Sequence, residues 1–368
     1  MLDMAKVAAA IAQSHDQLWA SEHDAYQLVA DTWDFIIQDP LFAYRVAAVS
    51  YCPWPLPSWR DPLSQTTPIL LYQEPYTIIS SDGSQIFPDR HEGISCGLIN
   101  IGTVVIPYRN NGLGVELTNE PILALPNTYA DGISLHDAIS IQRQGYELKY
   151  ATAKAHNVPG TKAVLFDGSL IFWHLQSIMG FEAIIQDYCA TLAQLETLTI
   201  PYGFYISAPK SKDLLNLVRL QLCNFNPANE AAYAAVAACT DATIMQHQLA
   251  VGERSIFFKS GAPVTLLYPP SQQPYFCYLR TPTEIGRLEL PAWLVQDINL
   301  CNQFIAQIAD QLEKGKGYPI ALAEAHEQAV VKGPDRELFY MLLAHSGMQA
   351  QRTWTPSAKQ THKNKPAI

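Results

Sequence analysis

The order of short apolar runs along the chain constrains the possible fold most strongly. β-Branched runs at 76–80, 97–102 and 103–108 are separated by turn residues, which predicts two or three adjacent antiparallel strands. After them, a helical pattern at 134–155 precedes an unbroken apolar run at 163–166, typical of a strand covered on both faces. Strands followed by alternating helices and strands predict an α/β domain around a mixed sheet flanked by helices.

The flanking segments complete this outline. Apolar residues recur with helical spacing through residues 1–50, and a Pro- and Trp-rich connector follows. We predict an N-terminal helical extension and connector over 1–68, one α/β domain over 69–345 and a flexible basic tail over 346–368. The remaining predicted helices lie at 174–196, 211–222 and 293–312, with a last one after Pro319, and the remaining strands lie at 204–207, 255–258, 264–268 and 275–279.

Composition narrows the class of protein. The formal charge is −10, from 24 Lys and Arg against 34 Asp and Glu, and 48% of residues are hydrophobic, as in folded globular chains. The negative net charge argues against nonspecific binding of nucleic acid over much of the surface. It leaves open a local basic groove or a metal site. Seven cysteines without a C-x-x-C pair argue against a disulfide scaffold or a structural zinc site. We expect no transmembrane helix, no signal peptide and a cytoplasmic protein.

Two apolar strands end in the same tripeptide, Asp-Gly-Ser. Asp82 follows the first predicted strand, and Asp167 follows the strand at 163–166. Ligand sites in open α/β sheets favour strand ends, and the glycine permits a close backbone approach or a positive φ. Asp-Gly is also a common turn dipeptide. If the two strands are neighbours, however, two carboxylates converge, and divalent cations relieve their repulsion most simply.

Three further residues are candidates for a site. Glu147 lies on the helix before the second Asp-Gly-Ser, half a turn from its apolar stripe, either as a surface group or as a third oxygen ligand. His326 shares a predicted helical face with Ala323 and Val330, so we expect it to point toward the core, as a structural residue, metal ligand or acid–base group. Tyr318, in a Gly-Tyr-Pro turn, either bonds a phosphate or packs its ring.

Other hydrolase signatures are missing or incomplete. The segment after Phe166 is similar to the motif of haloacid-dehalogenase-type phosphatases, but the position of their nucleophilic Asp is Leu165. Neither a P-loop nor a serine-hydrolase elbow occurs in the sequence.

Taken together, these segments resemble the NurA nuclease family from about residue 76 to 343. Seven pieces in the family's order carry the resemblance: Ser81-Asp-Gly-Ser-Gln-Ile with Asp89-Arg-His91 after it, Leu98-Ile-Asn-Ile-Gly, Leu165-Phe-Asp-Gly-Ser-Leu, Tyr205-Ile-Ser-x-Pro-Lys-Ser, Gly252-Glu-Arg-Ser, Arg287-Leu-Glu-Leu-Pro-x-Trp293, and Gly317-Tyr-Pro through Ala325-His326.

The resemblance implies an RNase H-like core and a Mn²⁺-dependent nuclease, with Mg²⁺ as the alternative metal. It implies action on DNA ends and single strands in double-strand-break repair, a homodimer, and a HerA-like hexameric translocase as partner. The family's metal-binding acids fall on Asp82, Asp167 and, by position in the preceding helix, Glu147, while its tyrosine and histidine fall on Tyr318 and His326. Glu116 and Glu120 are alternatives for the third acid.

The order of the acids agrees with that fold. An acid on the first strand, antiparallel neighbours, an acid on a helix and an acid on the next strand is how an RNase H-like sheet assembles its site. Two cations bound there would activate water and stabilise charge on the phosphodiester, and a His ligand favours Mn²⁺. A non-catalytic DNA-binding scaffold and an unrelated small-phosphoester hydrolase are the alternative functions. The candidate phosphate contacts are Arg90, His91, Lys210, Lys212, Arg254 and Arg287.

Overall fold

The structure is a computed structural model that describes residues 2–14, 22–88, 96–109, 113–125 and 133–349. The chain divides into two compact units. The first unit combines Met1–Ile69, Ile206–Thr265 and Pro274–Glu289, and the second combines Leu70–Tyr205, Leu266–Gln273 and Leu290–Ile368. The predicted domain boundaries stay predictions. Within the described ranges, no helix is both long and apolar enough to cross a bilayer.

The described residues form eleven α-helices and eleven β-strands. The helices are α1 (Met4–Gln13), α2 (Glu22–Gln38), α3 (Phe42–Ala47), α4 (Leu135–Asn157), α5 (Phe181–Thr197), α6 (Asp213–Leu222), α7 (Asp241–Gln248), α8 (Ala292–Gln296), α9 (Ile298–Lys314), α10 (Ile320–Ala329) and α11 (Gly333–Gln349). The strands are β1 (Ser58–Trp59), β2 (Thr66–Pro68), β3 (Tyr76–Ile86), β4 (Gly97–Tyr108), β5 (Glu116–Ala124), β6 (Lys162–Asp167), β7 (Tyr202–Ile206), β8 (Glu253–Ser255), β9 (Phe258–Lys259), β10 (Pro274–Arg280) and β11 (Ile285–Pro291).

The sheet of the second unit has the order β5-β4-β3-β6-β7. β3, β4 and β5 are antiparallel neighbours, whereas β6 pairs parallel with β3 and β7 pairs parallel with β6. The helix α4 leads from β5 into β6, and α5 connects β6 to β7. The two strands that carry Asp-Gly-Ser are therefore adjacent and point the same way, as the convergence argument required, with Ser81 opposite Phe166.

The antiparallel part differs in detail from the sequence prediction. The runs at 97–102 and 103–108 form one continuous strand, β4, and the third antiparallel strand is β5, which was not predicted. Gly102 does not break β4, because it pairs with Asp82 on β3 and with Asn119 on β5. A helix packs directly over it: a Cβ at this position would lie 2.5 Å from the carbonyl oxygen of Ala325 on α10. Its lack of a side chain serves packing, not a turn.

One predicted strand and two predicted helices also need correction. The segment at 264–268 is not a strand but part of a 3₁₀ turn from Pro263 to Leu267, in which the Thr265 hydroxyl and amide both donate to Ala262. The helix predicted at 174–196 is interrupted: a 3₁₀ turn ends at Ser177, and α5 begins only after Gly180, whose φ is 75°. The helix after Pro319 is not the last one, because α11 follows it through Gln349.

The first unit has its own apolar core. Val29, Trp33 and Ile36 on α2 are at most 1% exposed, as the helical spacing of the N-terminal segment predicted, and they pack among apolar residues of α6 and α7. The indole of Trp33 donates to the Gln248 side chain at 2.6 Å, so the buried polar atom is paired. Leu18, another residue of that predicted stripe, lies outside the described residues.

Candidate active site

The first Asp-Gly-Ser does not end its strand, as predicted, but lies within β3, which continues to Ile86. Serines at and beside the tripeptide bond this strand to two helices of the second unit. The hydroxyl of Ser81 donates to the backbone carbonyl of Glu147 on α4 at 2.5 Å. The hydroxyl of Ser84, the last residue of the tripeptide, donates to the carbonyl of Ala329, the last residue of α10, also at 2.5 Å. Asp82 lies between these two attachments, so residues from both helices can reach it.

Gly83 is needed for close packing and not for a turn. A Cβ on this residue would lie 2.7 Å from Cγ of Arg143, 2.7 Å from Oε1 of Glu147 and 3.0 Å from Cδ1 of Ile101. Its amide donates to Asp82 Oδ1 at 2.8 Å, which orients that carboxylate. The missing side chain thus opens the space into which α4 inserts Glu147.

The second Asp-Gly-Ser uses its glycine differently. Gly168 has a φ of 89°, which an L side chain rarely adopts, and its amide donates to the carbonyl of Tyr205 on β7 at 3.0 Å. This bend follows Asp167 at the end of β6. The hydroxyl of Tyr318 donates to Asp167 Oδ1 at 3.0 Å. Tyr318 is presented by a turn after α9 in which Gly317 has a φ of 116°, so the Gly-Tyr-Pro motif has a local conformational cause.

His326 reaches the site because α10 is held close to the sheet. Its Nδ1 lies 2.8 Å from Asp82 Oδ2. Besides the close approach at Gly102, the side-chain amide of Asn100 donates to the carbonyl of Ala329 at 2.8 Å, next to the bond from Ser84. Two neighbouring strands therefore satisfy the same terminal carbonyl of α10 and fix the position of the helix.

The predicted inward orientation of His326 was wrong. The buried face of α10 consists of Ala321, Leu322, Ala325 and Ala329, whereas the His326 side chain is 64% exposed. The imidazole lies at the solvent edge of the pocket and contacts Asp82 from outside. A histidine placed there is accessible to a ligand, which a core histidine would not be.

Asp82, Glu147 and Asp167 line one pocket of about 220 Å³. Burial raises the pKa of Glu147; Arg143 opposes this rise, and the carboxylates of Asp82 and Asp167 add to it. Burial also raises the pKa of Asp167, the Tyr318 hydrogen bond lowers it, and the charge of Asp82 raises it. The carboxylates of Asp82 and Asp167 are therefore close enough to disfavour the ionisation of Glu147, and Asp82 is close enough to disfavour that of Asp167, as expected for converging carboxylates.

The alternatives for the third acid lie elsewhere in the second unit. Glu116 forms an ion pair with Lys154, and Glu120 is an exposed residue of β5 opposite Ile101. Of the three glutamates, Glu147 is the one that lines the pocket of Asp82 and Asp167.

A positive charge, Arg143, also lies in the pocket. Its Nη1 is 2.5 Å from Glu147 Oε1, 2.9 Å from the carbonyl of Gly83 and 4.0 Å from Asp82 Oδ1. Sequence reasoning missed this residue, although its spacing of four from Glu147 on one helix is the usual signature of an ion pair. His174, which also lines the pocket and bonds Gln144 at 3.0 Å, had no comparable signal in the sequence.

The donor set suits a hard divalent cation, because it consists of three carboxylates with an imidazole beside one of them. The pocket that the three carboxylates share is the observation that supports this fit. In the part of the chain that the structure describes, no group of three or more His, Cys, Asp or Glu side chains is arranged as a ready metal site. Arg143 and His326 instead occupy the positions beside the carboxylates.

The candidate phosphate contacts have different placements. Arg90 and His91 lie outside the described residues. The other four belong to the first unit: Lys210 is exposed, and Lys212 donates to the carbonyl of Ala237 at 2.6 Å. Arg254 is 7% exposed, stacks on Phe257 and donates to the carbonyl of Ser255.

Arg287 does not fit the predicted phosphate contact. It is 2% exposed and bonds Asp213 Oδ2 and Glu289 Oε1, each at 2.7 Å. The hydroxyl of Tyr278 accepts from the same guanidinium at 2.9 Å and donates to buried Asp241 at 2.6 Å. A buried guanidinium that satisfies carboxylates is a structural group of the first unit, because breaking such a pair is strongly destabilising.

Comparison with known proteins agrees with the resemblance seen in the sequence. Residues 76–331 match the NurA domain, which confirms the family that the sequence motifs indicated. The crystal structure of the NurA nuclease from Sulfolobus solfataricus superposes with a TM-score of 0.55 at 12% identity, covering 97% of this chain and 100% of that one. This likeness and the strand order confirm the predicted RNase H-like mixed sheet flanked by helices.

Two further solved structures superpose only weakly on this chain. The first is LC9-RNase H1, a type 1 RNase H, with 11% identity and a TM-score of 0.23 over 40% of this chain and 71% of that one. The second is RuvC from Thermus thermophilus, with 12% identity and a TM-score of 0.19 over 46% of this chain and 95% of that one. No curated protein matches the chain.

Proposed function

Because the chain belongs to the NurA family, we propose that it is a divalent-metal-dependent nuclease that hydrolyses DNA phosphodiesters. One observation carries the proposal: Asp82, Glu147 and Asp167, from two strands and a helix of the second unit, line a single pocket. A structural role for three such acids is a poor explanation, because carboxylates that repel one another in a part-buried pocket destabilise the fold.

In this proposal, Asp82, Glu147 and Asp167 hold the metal, with His326 as an additional ligand. A bound divalent cation would lower the pKa of an attacking water and stabilise the charge that develops on the phosphate. We propose Mn²⁺ as the metal, because an imidazole nitrogen among oxygen donors favours it over Mg²⁺.

The chain's own groups orient these acids. Asp82 accepts from the amide of Gly83, and Asp167 accepts from the hydroxyl of Tyr318, so each carboxylate has one oxygen fixed. His326 contacts Asp82 through Nδ1, so Nε2 is the ring nitrogen that would bind the cation. Arg143 supplies positive charge beside the acids, where the anionic strand must approach.

Family membership also motivates the broader proposals. We propose DNA ends and single strands as substrates, a role in double-strand-break repair, a homodimer, and a HerA-like translocase as partner. Light scattering of the purified chain, alone and mixed with a HerA-like protein, tests the last two independently of cleavage.

The test of the function compares purified wild type with Asp82→Asn and Asp167→Asn on end-labelled single-stranded DNA, with Mn²⁺, with Mg²⁺ and with chelator. We expect wild type to cleave only with metal and each variant to lose at least about a hundredfold in rate while melting as wild type does. Asp187→Asn is the matched control, because Asp187 is an exposed acid of α5 that pairs with Lys149.

Two outcomes would contradict the proposal. If Asp82→Asn keeps metal-dependent cleavage, the acids are not the catalytic centre. If the wild type binds DNA without cleaving it in either metal, the chain is a non-catalytic DNA-binding protein with this fold.

A further inference from the structure

Arg143 occupies the acidic pocket in a way that its surface neighbours on the same helix do not. Lys149, also on α4, pairs with Asp187 at 3.1 Å, and both side chains are more than half exposed. The Arg143 side chain is 29% exposed, and its partner Glu147 is 14% exposed. The Arg143–Glu147 pair is therefore partly desolvated, where the attraction between charges is stronger than at the surface.

The groups around Arg143 complement its positive charge but leave one of its hydrogen-bond donors unsatisfied. Nη1 contacts Glu147, the carbonyl of Gly83 and, at 4.0 Å, Asp82, while the buried Nε has no hydrogen-bond partner among the described residues. A guanidinium chosen for hydrogen bonding alone would not leave this donor unsatisfied. What the position offers is negative potential, from Glu147, Asp82 and Asp167 around one cavity.

We propose that Arg143 is the resident counter-ion of the acidic pocket, which neutralises Glu147 in the metal-free protein and yields that carboxylate to a divalent cation. The inference rests on the proposed function, because it treats Glu147 as a metal ligand. A guanidinium 2.5 Å from Glu147 Oε1 and a cation on the same oxygen exclude each other, both by volume and by repulsion. Metal binding and the ion pair are thus competing states of one site, and each opposes the other by the same free energy.

The competition has a direct measurable consequence. Removing the guanidinium should tighten metal binding, because the cation no longer has to displace a charge. It should also destabilise the metal-free protein, because Glu147 is left part-buried beside two other carboxylates. A residue that only positions Glu147 for the metal would have the opposite effect on affinity, since its loss would disorder the ligand.

The experiment measures Mn²⁺ affinity by electron paramagnetic resonance of the free ion, without DNA, in wild type, Arg143→Gln and Lys149→Gln. We expect Arg143→Gln to bind Mn²⁺ about tenfold more tightly, within the range typical of coupled sites. Lys149→Gln removes the same charge from the same helix outside the pocket, and its affinity should stay within about twofold of wild type. Unchanged or weaker binding by Arg143→Gln would overturn the proposal.

The second measurement is thermal melting with and without saturating Mn²⁺. Should Arg143→Gln not fold, Arg143→Met, which keeps the aliphatic length, replaces it. We expect the variant to melt below wild type without metal and the gap to close with Mn²⁺. A gap that Mn²⁺ leaves unchanged would mean that Arg143 is purely structural. If neither wild type nor any of the variants binds Mn²⁺, the proposed metal dependence itself fails. If all of them bind Mn²⁺ equally, only the counter-ion role fails.

Discussion

The substitution Gly83→Ala tests whether the first Asp-Gly-Ser is built for close packing of α4. The new Cβ would lie 2.7 Å from Cγ of Arg143 and from Oε1 of Glu147, whereas ordinary contact begins at 3.4 Å. The two side chains must therefore retreat by 3.4 − 2.7 = 0.7 Å. Oε1 is the end of the flexible Glu147 side chain, and Cγ of Arg143 lies in the stem of another, so we expect the fold to survive at a cost of about 1–3 kcal/mol, as for other overpacked sites.

The expected catalytic loss is larger than the loss of stability suggests. A displacement of a catalytic group by about 1 Å costs roughly a hundredfold in rate, so a Glu147 carboxylate moved by 0.7 Å should lower cleavage by tens of fold. The assay is metal-dependent cleavage of labelled single-stranded DNA, read together with urea unfolding of the same preparation.

Gly114→Ala is the matched control, because nothing lies within 4 Å of its added Cβ. It should leave both cleavage and unfolding close to wild type. Wild-type cleavage by a folded Gly83→Ala protein would refute the reasoning, because Glu147 would then tolerate a displacement that a metal ligand cannot.

Other expectations follow from the contacts around the site. Gly102→Ala should lower the free energy of unfolding by about 3 kcal/mol or more, because its Cβ would meet backbone atoms of α10 that cannot rotate away; urea unfolding measures this loss. Tyr318→Phe should lower cleavage about tenfold with little change in melting temperature, because it removes an exposed bond to Asp167. Tyr76→Phe should cost about 1–3 kcal/mol in urea unfolding, because it removes a buried bond to Asp310, and should spare cleavage.

The sequence was sufficient to predict the fold and the site wherever a local pattern had a local cause. The Ser134 cap of α4, whose hydroxyl accepts from the amide of Asp137, was predictable from the spacing of the two residues. The repeated Asp-Gly-Ser after apolar runs identified Asp82 and Asp167 as candidates, and the structure meets the condition that their strands are neighbours. Such signals depend on a few neighbouring residues, so they are readable without the tertiary structure.

Features that depend on distant contacts were not predictable. Gly102 was interpreted as a break in a strand, but pairing with β3 and β5 continues the strand through it, and the packing of α10 explains why a glycine stands there. The exposed orientation of His326 depends on which face of α10 meets the sheet, and alanines on several faces left that choice open. Arg287 has the charge of a phosphate contact, but its carboxylate partners come from segments up to 74 residues away.

The attachments made by β3 also bear on how the protein is synthesised. Asp82 is joined to His326 across 244 positions of the chain, and Ser84 to Ala329 across 245. Bonds of such long range form late, after most of the polypeptide has left the ribosome. An unfinished chain that ends before Gly317 therefore has all three acids but lacks Tyr318, His326 and the carbonyl that Ser84 clamps. If the pocket is the proposed catalytic centre, it therefore stays incomplete until the last segment has been translated and docked.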